Sequence, residues 1–222
     1  MDWQALALSV KLSLVTLLFL LPIGILFGRW LAYRQFLGKS LLQTILALPL
    51  VLPPTVLGYY LLVMFSPNQG LGLWLSNTFG TTLVFNFEGL VLASIIFNLP
   101  FAIQPMQRAF AAIPREIREA AACCGMPPAQ VLWKIELPLA WQGIVSAMVM
   151  SFAHTLGEFG IVLMVGGNIP NETQTIAISI YDKVQAFDDH SASVMALSLL
   201  LFSMLTISFT YWLSERGNQP HV

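Results

Sequence analysis

The chain has 222 residues, 57% of them hydrophobic and only 9% charged, with a formal net charge of -1. Soluble domains carry about 25% charged residues, so this composition excludes a water-soluble globule. The near-neutral balance also excludes a broad electrostatic surface for nucleic acid.

Stretches without Asp, Glu, Lys or Arg run from 12 to 28, 40 to 87, 89 to 107, 139 to 157, 159 to 171 and 190 to 214. A helix needs roughly 20 apolar residues to cross about 30 Å of hydrocarbon. Five membrane spans are therefore expected, near 7–28, 43–65, 89–106, 141–165 and 193–213. No polar and apolar alternation suggests a barrel, so the fold class is an all-α membrane protein in which residues 1–222 form a single transmembrane domain. Asp2 stands where a leader peptide would carry positive charge, and no small-residue cleavage site follows, so the first span is expected to stay in the protein.

Basic residues are one-sided. Arg29, Arg34 and Lys39 follow the first span, Arg108, Arg115, Arg118 and Lys134 lie between the third and fourth, and Arg216 follows the fifth. The stretch 66–88 has no Lys or Arg, and 166–192 has only Lys183 among Glu172, Asp182, Asp188 and Asp189. Lys and Arg in short loops stay in the cytoplasm, which puts the N-terminus outside and the C-terminus inside. Lys11 is close enough to the outer end of the first span to snorkel.

In span two, Pro49, Pro53 and Pro54 interrupt the backbone hydrogen-bond ladder, and Pro100 and Pro105 are expected to do the same in span three. Broken backbone at membrane depth is tolerated where protein or water satisfies it, so these positions read either as kinks or as a pathway lining whose free amides attract an anion.

Between spans three and four lies a polar cassette, 115–138. Residues 115 to 124 are rich in helix formers, Arg115 and Glu119 are spaced as an i, i+4 pair, and Gly125 suits the left-handed conformation that ends a helix. Pro127 and Pro128 then open a second short helix with Val131, Leu132 and Ile135 on one side and Gln130 and Lys134 on another, and Pro138 marks the start of span four. Cys123 and Cys124 within it read as packing residues rather than redox or metal groups. An amphipathic loop resting on headgroups and a docking site for a partner fit this pattern equally well.

Span four carries one acid, Glu158, roughly 22 Å in from Gly143 at about 1.5 Å per residue, a depth that suits an outer gate. His154 lies four residues earlier on the same face, within reach of a hydrogen bond or ion pair with Glu158, and Gly157 and Gly160 offer close helix contact. A packing network without a gating role is the alternative. No Lys or Arg lies deep in a span, so an anion crossing here meets only weak partners such as Thr55, Ser94, Asn98, Ser151 and Thr155.

Two short motifs carry no weight. Gly38-Lys39-Ser40 lacks the glycine that a phosphate-binding loop needs at the position of Tyr33, and Asn171-Glu172-Thr173 matches a glycosylation sequon too short to be informative.

The spacing Glu119-Ala120-Ala121, Gly125, Ile135, Leu137-Pro138 reproduces the EAA signature and resembles the membrane subunits of ABC-type importers. Leu48 to Pro54 with Gly58-Tyr59, Leu156 to Gly160, and Asn168 to Ile176 extend the resemblance over nearly the whole chain, toward permease subunits for tetrahedral oxyanions and molybdate in particular. His154 stands where similar permeases often carry arginine, so no fixed positive charge is implied there.

The resemblance implies a permease that moves molybdate, and with it tungstate, into the cytoplasm by alternating access. Residues 115–138 would be the cytoplasmic coupling loop, with Glu119, Ala120, Ala121, Gly125, Ile135, Leu137 and Pro138 meeting the ATPase. Pro49, Pro53, Pro54, Asn98, His154, Glu158 and Phe159 are the expected pathway or gate residues. No catalytic residue, metal or cofactor is expected in this chain; ATP and Mg belong to a separate subunit. Five helices are few to enclose a pathway, so a homodimer is expected, with two ATP-binding subunits below and an extracytoplasmic oxyanion-binding protein above. The location would be a bacterial or archaeal cell membrane, the inner one in a Gram-negative cell. Two alternatives remain: a sulfate or thiosulfate permease subunit of the same class, and an intramembrane enzyme using His154 and Glu158 as acid and base, to which His190 and His221 add no motif.

Overall fold

A computed structural model describes residues 2–217, so His221 lies outside it. The described residues form helices α1 (Trp3–Tyr33), α2 (Lys39–Val51), α3 (Pro54–Phe65), α4 (Gly70–Phe79), α5 (Phe87–Ala111), α6 (Arg115–Cys123), α7 (Pro128–Val131), α8 (Leu137–Gly157), α9 (Gly160–Gly166), α10 (Ile176–Gln185) and α11 (Asp189–Gly217). A π-helical turn, Leu132–Glu136, joins α7 to α8. Four helical stretches are long and apolar enough to cross a membrane, Trp3–Tyr33, Phe87–Ala111, Pro128–Gly157 and Asp189–Phe209, and the bent α2–α3 pair makes a fifth when counted as one span.

Helix α5 is the centre of the bundle. It contributes Ala93 and Phe97 to a core with Leu61, Phe65, Ile161 and Val165, Leu90 and Val91 to one with Leu12, Val162 and Ile178, and Met106 and Phe110 to a third with Ala140, Ile144 and Ala147. Helix α1 lies along it through small residues. A Cβ on Gly24 would stand 2.7 Å from Met106 Sδ, and one on Gly28 would stand 3.0 Å from the Gln107 backbone nitrogen. In hydrocarbon, where apolar surfaces gain little by leaving lipid, such close backbone approach is a main source of helix association. Exposed Leu18, Leu200 and Leu205 face outward as a lipid environment requires.

Span two is broken where its prolines fall. Leu52 and Pro53 are extended, and the chain turns by 111° between Lys39–Val51 and Pro54–Thr78. A proline removes an N–H and pushes the preceding residue out of the helical region, so Pro53 and Pro54 together end α2 and start α3. Pro49 sits inside α2 without breaking it. In span three α5 stays one helix through Pro100 and Pro105, each of which lacks the N–H that would complete its rung of the ladder, so these prolines do not end the span as Pro53 and Pro54 do.

Span four departs more. The expected helix 141–165 is interrupted, because α8 ends at Gly157 and α9 begins at Gly160, leaving Glu158 and Phe159 between them. Helices α3 and α9, each following a break, pack against one another: Gly58 meets Met164 and Ile161, and a Cβ on Gly160 would lie 2.9 Å from Pro54 Cβ. The stretches 66–88 and 166–192 contain α4 and α10, which the apolar pattern did not reveal.

The two ends of the bundle are chemically distinct. At one, Asp2 caps α1 by accepting from Ala5 N at 3.0 Å and also accepts from Ser179 Oγ of α10 at 3.0 Å, while Ile176 N donates to Ser9 Oγ at 2.8 Å. Lys11 lies there with its Nζ 4.3 Å from the centre of the Phe87 ring. Asp188, ahead of α11, accepts from Ser191 N at 3.2 Å, and its bonds to Ser191, helped by Lys183, hold its carboxyl below the usual carboxylate range. The other end gathers Arg29, Arg118 and the polar cassette.

Gly58→Val would force two γ-carbons into the α3–α9 contact, where even a Cβ stands 2.9 Å from Met164 Cβ. The expected outcome is a loss of about 1–3 kcal/mol, read as a lower melting temperature of the detergent-solubilised protein.

Candidate functional site

The cassette has a simple local construction. Arg115 and Glu119 form the expected pair, Nε to Oε1 at 2.6 Å on the solvent side of α6. Helix α6 stops as the glycine predicts: Gly125 has φ +71°, Gly125 N donates to Ala122 O at 2.9 Å, and Met126 N donates to Ala121 O at 3.1 Å. This paired ending satisfies two carbonyls that the last turn leaves free. Nothing crowds the Gly125 Cα, so the left-handed backbone alone requires glycine there.

The second half differs from two separate helical pieces. Helix α7, the π-helical turn and α8 follow without interruption from Pro128 to Gly157, so the cassette enters span four as one continuous rod and Pro138 lies inside it. Glu119, Ala120, Gly125 and Pro138 are exposed, Ile135 and Leu137 half-buried, and Ala121 is the one buried residue of α6. Cys123, the last residue of α6, and Cys124, which caps it, are exposed rather than packed.

Beneath the cassette is a feature the sequence reading missed. Glu136 is fully buried, 0% exposed, and its carboxylate receives Arg29 Nε of α1, Arg29 Nη2 at 3.3 Å, and Arg118 Nε of α6 at 3.7 Å. The Arg118 guanidinium lies 3.5 Å from the centre of the Tyr33 ring, and Tyr33 meets Phe110 of α5 edge-on. Next to this cluster is an open cavity of about 890 Å³, whose walls include Arg29, Tyr33, Ile113, Arg118, Ala122 and Met126. The signal in the sequence was a lone acid directly before Leu137-Pro138, facing a basic end that offered it partners.

The membrane-level residues fall into two groups. Asn98, Ser94, Ser151 and Thr155 are buried between α5 and α8 and bonded to one another. Asn98 Nδ2 donates to Ser94 O at 2.8 Å and to Thr155 Oγ1 at 3.0 Å, and Thr155 Oγ1 donates to Ser151 O at 2.8 Å. His154 Nδ1 is 3.1 Å from Asn98 Oδ1, and its ring lies between Phe97 and Phe101, 4.7 and 4.1 Å away by ring centres. Because both Asn98 N–H groups are used, its oxygen faces the imidazole, which sets Nδ1 as the donor. Of the five weak polar partners named from the sequence, Thr55 alone is exposed.

The second group surrounds the two breaks. Pro53 and Pro54 are exposed beside Gly160, and Glu158 turns back to accept from Ile161 N at 3.0 Å. The His154 to Glu158 pair that the sequence allowed is not formed: the helix ends between them, and each bonds elsewhere. A carboxylate at the start of α9 complements the free amides and positive pole of that helix. Among the described residues no three His, Cys, Asp or Glu side chains gather as a metal site, and the acid–base geometry that an intramembrane enzyme would need from His154 and Glu158 is not formed.

Residues 21–218 match the family model described as the binding-protein-dependent transport system inner membrane component. The chain is 42% identical over 211 residues to a molybdenum transport system permease protein of Azotobacter vinelandii, covering 95% of this chain and 93% of that one. It is 27% identical over 212 residues to a sulfate transport system permease protein of Synechocystis, covering 94% and 76% respectively. Its fold resembles that of a chain in a bacterial alginate ABC transporter solved in complex with an alginate pentasaccharide-bound periplasmic protein, with a TM-score of 0.77 at 20% identity over 99% of this chain and 80% of that one.

Removing the α9 cap tests its contribution. Glu158→Ala should lower stability by about 1 kcal/mol, whereas Glu158→Gln, which keeps an acceptor oxygen, should retain most of it. Thermal unfolding in detergent measures both.

Proposed function

The chain belongs to the family of binding-protein-dependent transport system inner membrane components, and on that premise we propose that it is the membrane-spanning permease subunit of an ATP-driven importer that carries molybdate into the cell. The observation that supports molybdate most strongly is the near full-length identity to a molybdenum permease, well above that to a sulfate permease. The chain is a multi-pass inner-membrane protein and a transport subunit; ATP and Mg are used by a separate ATP-binding subunit.

In this reading the basic end faces the cytoplasm, and 115–138 is the coupling loop. The exposed surface of α6 and its glycine ending, with Glu119, Ala120, Ala121 and Gly125, fits into a cleft of the ATP-binding subunit, and Ile135, Leu137 and Pro138 carry the contact into span four. Two such permeases form a homodimer with the pathway between them, a reading supported by the packing of one chain's bundle around α5.

Pathway function falls to the breaks. Pro53, Pro54, Thr55, Glu158 and Phe159 flank two half-helix starts, α3 and α9, held together by Gly58 and Gly160. Pro49 shapes the approach, while Asn98 and His154 tie α5 to α8 behind it. A doubly charged anion meets exposed backbone and hydroxyl groups but no deep Lys or Arg, so it is passed on rather than held. An extracytoplasmic oxyanion-binding protein supplies affinity and selectivity. ATP binding draws the two ATP-binding subunits together, the cassettes move, and the pathway turns outward; hydrolysis returns it inward.

The test is ATP-dependent uptake into proteoliposomes containing the permease, its ATP-binding subunit and the binding protein, with labelled molybdate in competition with unlabelled tungstate or sulfate. Molybdate uptake should be blocked by tungstate, whose ion has nearly the same size and charge, and left largely intact by equal sulfate. Uptake of sulfate in preference to molybdate would assign the chain to the sulfate branch.

A further inference from the structure

We propose that Glu136 is the joint through which movement of the cassette reaches the membrane helices, a positioning role for a residue that the EAA spacing leaves unspecified. The proposal rests on reading residues 115–138 as the dock of the ATP-binding subunit, and it adds how a push on that dock is transmitted.

Helix α6 is poorly anchored by apolar contact, since Ala121 is its one buried residue. What ties it to the bundle is Arg118, which reaches Glu136 at 3.7 Å while stacking on Tyr33 at 3.5 Å. Glu136 also takes Arg29 from α1, so one carboxylate links α6, α1 and the start of α8. Tyr33 extends the connection to α5 through Phe110, with ring centres 6.3 Å apart.

Apolar contacts are non-directional and allow helices to slide. The hydrogen bonds from Arg29 to the buried Glu136 carboxylate are directional, Arg118 adds a charge attraction at 3.7 Å from a separate element, and such buried charge groups are best attested as devices that set register. Glu136 closes the π-helical turn and directly precedes α8. A displacement of α6 by the ATPase therefore draws on Arg118, then Glu136, and rotates or shifts α8 together with the end of α1. Without the carboxylate, α6 would move against its apolar seat and the spans would lag behind.

The experiment uses the permease co-purified with its ATP-binding subunit, reconstituted with the binding protein, and reads molybdate uptake and ATP hydrolysis together. Glu136→Gln keeps the shape of the side chain and removes its charge. The expected result is a complex that assembles and hydrolyses ATP, with uptake per ATP lowered about tenfold, within the usual range of coupling effects.

Should Glu136→Gln fail to assemble, Arg118→Gln carries the same test, because that arginine side chain is 32% exposed and tolerates replacement better. Joining the two substitutions should lower the ratio no further than one alone, since both break the same link. An uptake-to-hydrolysis ratio equal to wild type in Glu136→Gln, or in Arg118→Gln where only that variant assembles, would overturn the joint. Failure of the unsubstituted permease to co-purify with any ATPase would overturn the docking reading instead, so the two failures are separable.

Discussion

Hydrocarbon supplies no hydrogen bonds, and every backbone or side-chain polar group placed in it must find a partner within the protein. The architecture follows that constraint closely. Where Pro53 and Pro54 break span two and Glu158 and Phe159 break span four, the chain brings the two open ends together, although the start of α3 stays exposed and without a side-chain cap. It packs the two new helix starts against each other, with glycines at the contact, and turns Glu158 onto the amides of α9. Between α5 and α8, Asn98 uses both of its N–H groups and the imidazole of His154 faces its remaining oxygen, while the buried Ser151 hydroxyl is left without a partner.

At the basic end the same constraint has a different outcome. Glu136 is as buried as any core leucine, yet it holds two arginines rather than one. Removing one partner of a buried ion pair typically costs about 3–5 kcal/mol; here the arginines are about a third exposed, so water softens the loss. Replacing the whole cluster by hydrocarbon would cost less than breaking it, which argues that the charges serve the geometry of the joint more than its stability. Helix α6 is thus exposed and lightly seated, held to the bundle by the ion pair and ring contact of Arg118.

Much of this was legible in the chain. Long charge-free runs placed the spans, the lone glycine ended α6 where expected, and the Arg115 to Glu119 spacing produced its pair. What escaped has a common physical reason: it depends on partners distant in sequence. A run of apolar residues does not tell a continuous helix from α8 and α9 joined through an extended Glu158, because Glu158 becomes a cap only through its bond from Ile161 N. Pro100 and Pro105 read equally as kinks or breaks from the sequence, and α5 runs on through both. His154 and Glu158 shared a helical face on paper, and the break between them removed it. Glu136 was read as part of a polar loop because Arg29, 107 residues earlier, could not be seen to reach it.

If the cassette faces the cytoplasm and receives the ATPase, the chain carries its own probe of both. Cys123 and Cys124 are its only cysteines, and both are exposed on the cassette. Labelling with a membrane-impermeant maleimide should modify them in inside-out vesicles, leave them untouched in right-side-out vesicles, and be suppressed when the ATP-binding subunit is bound. Modification from the outer face, or labelling unaffected by the bound ATPase, would contradict the account.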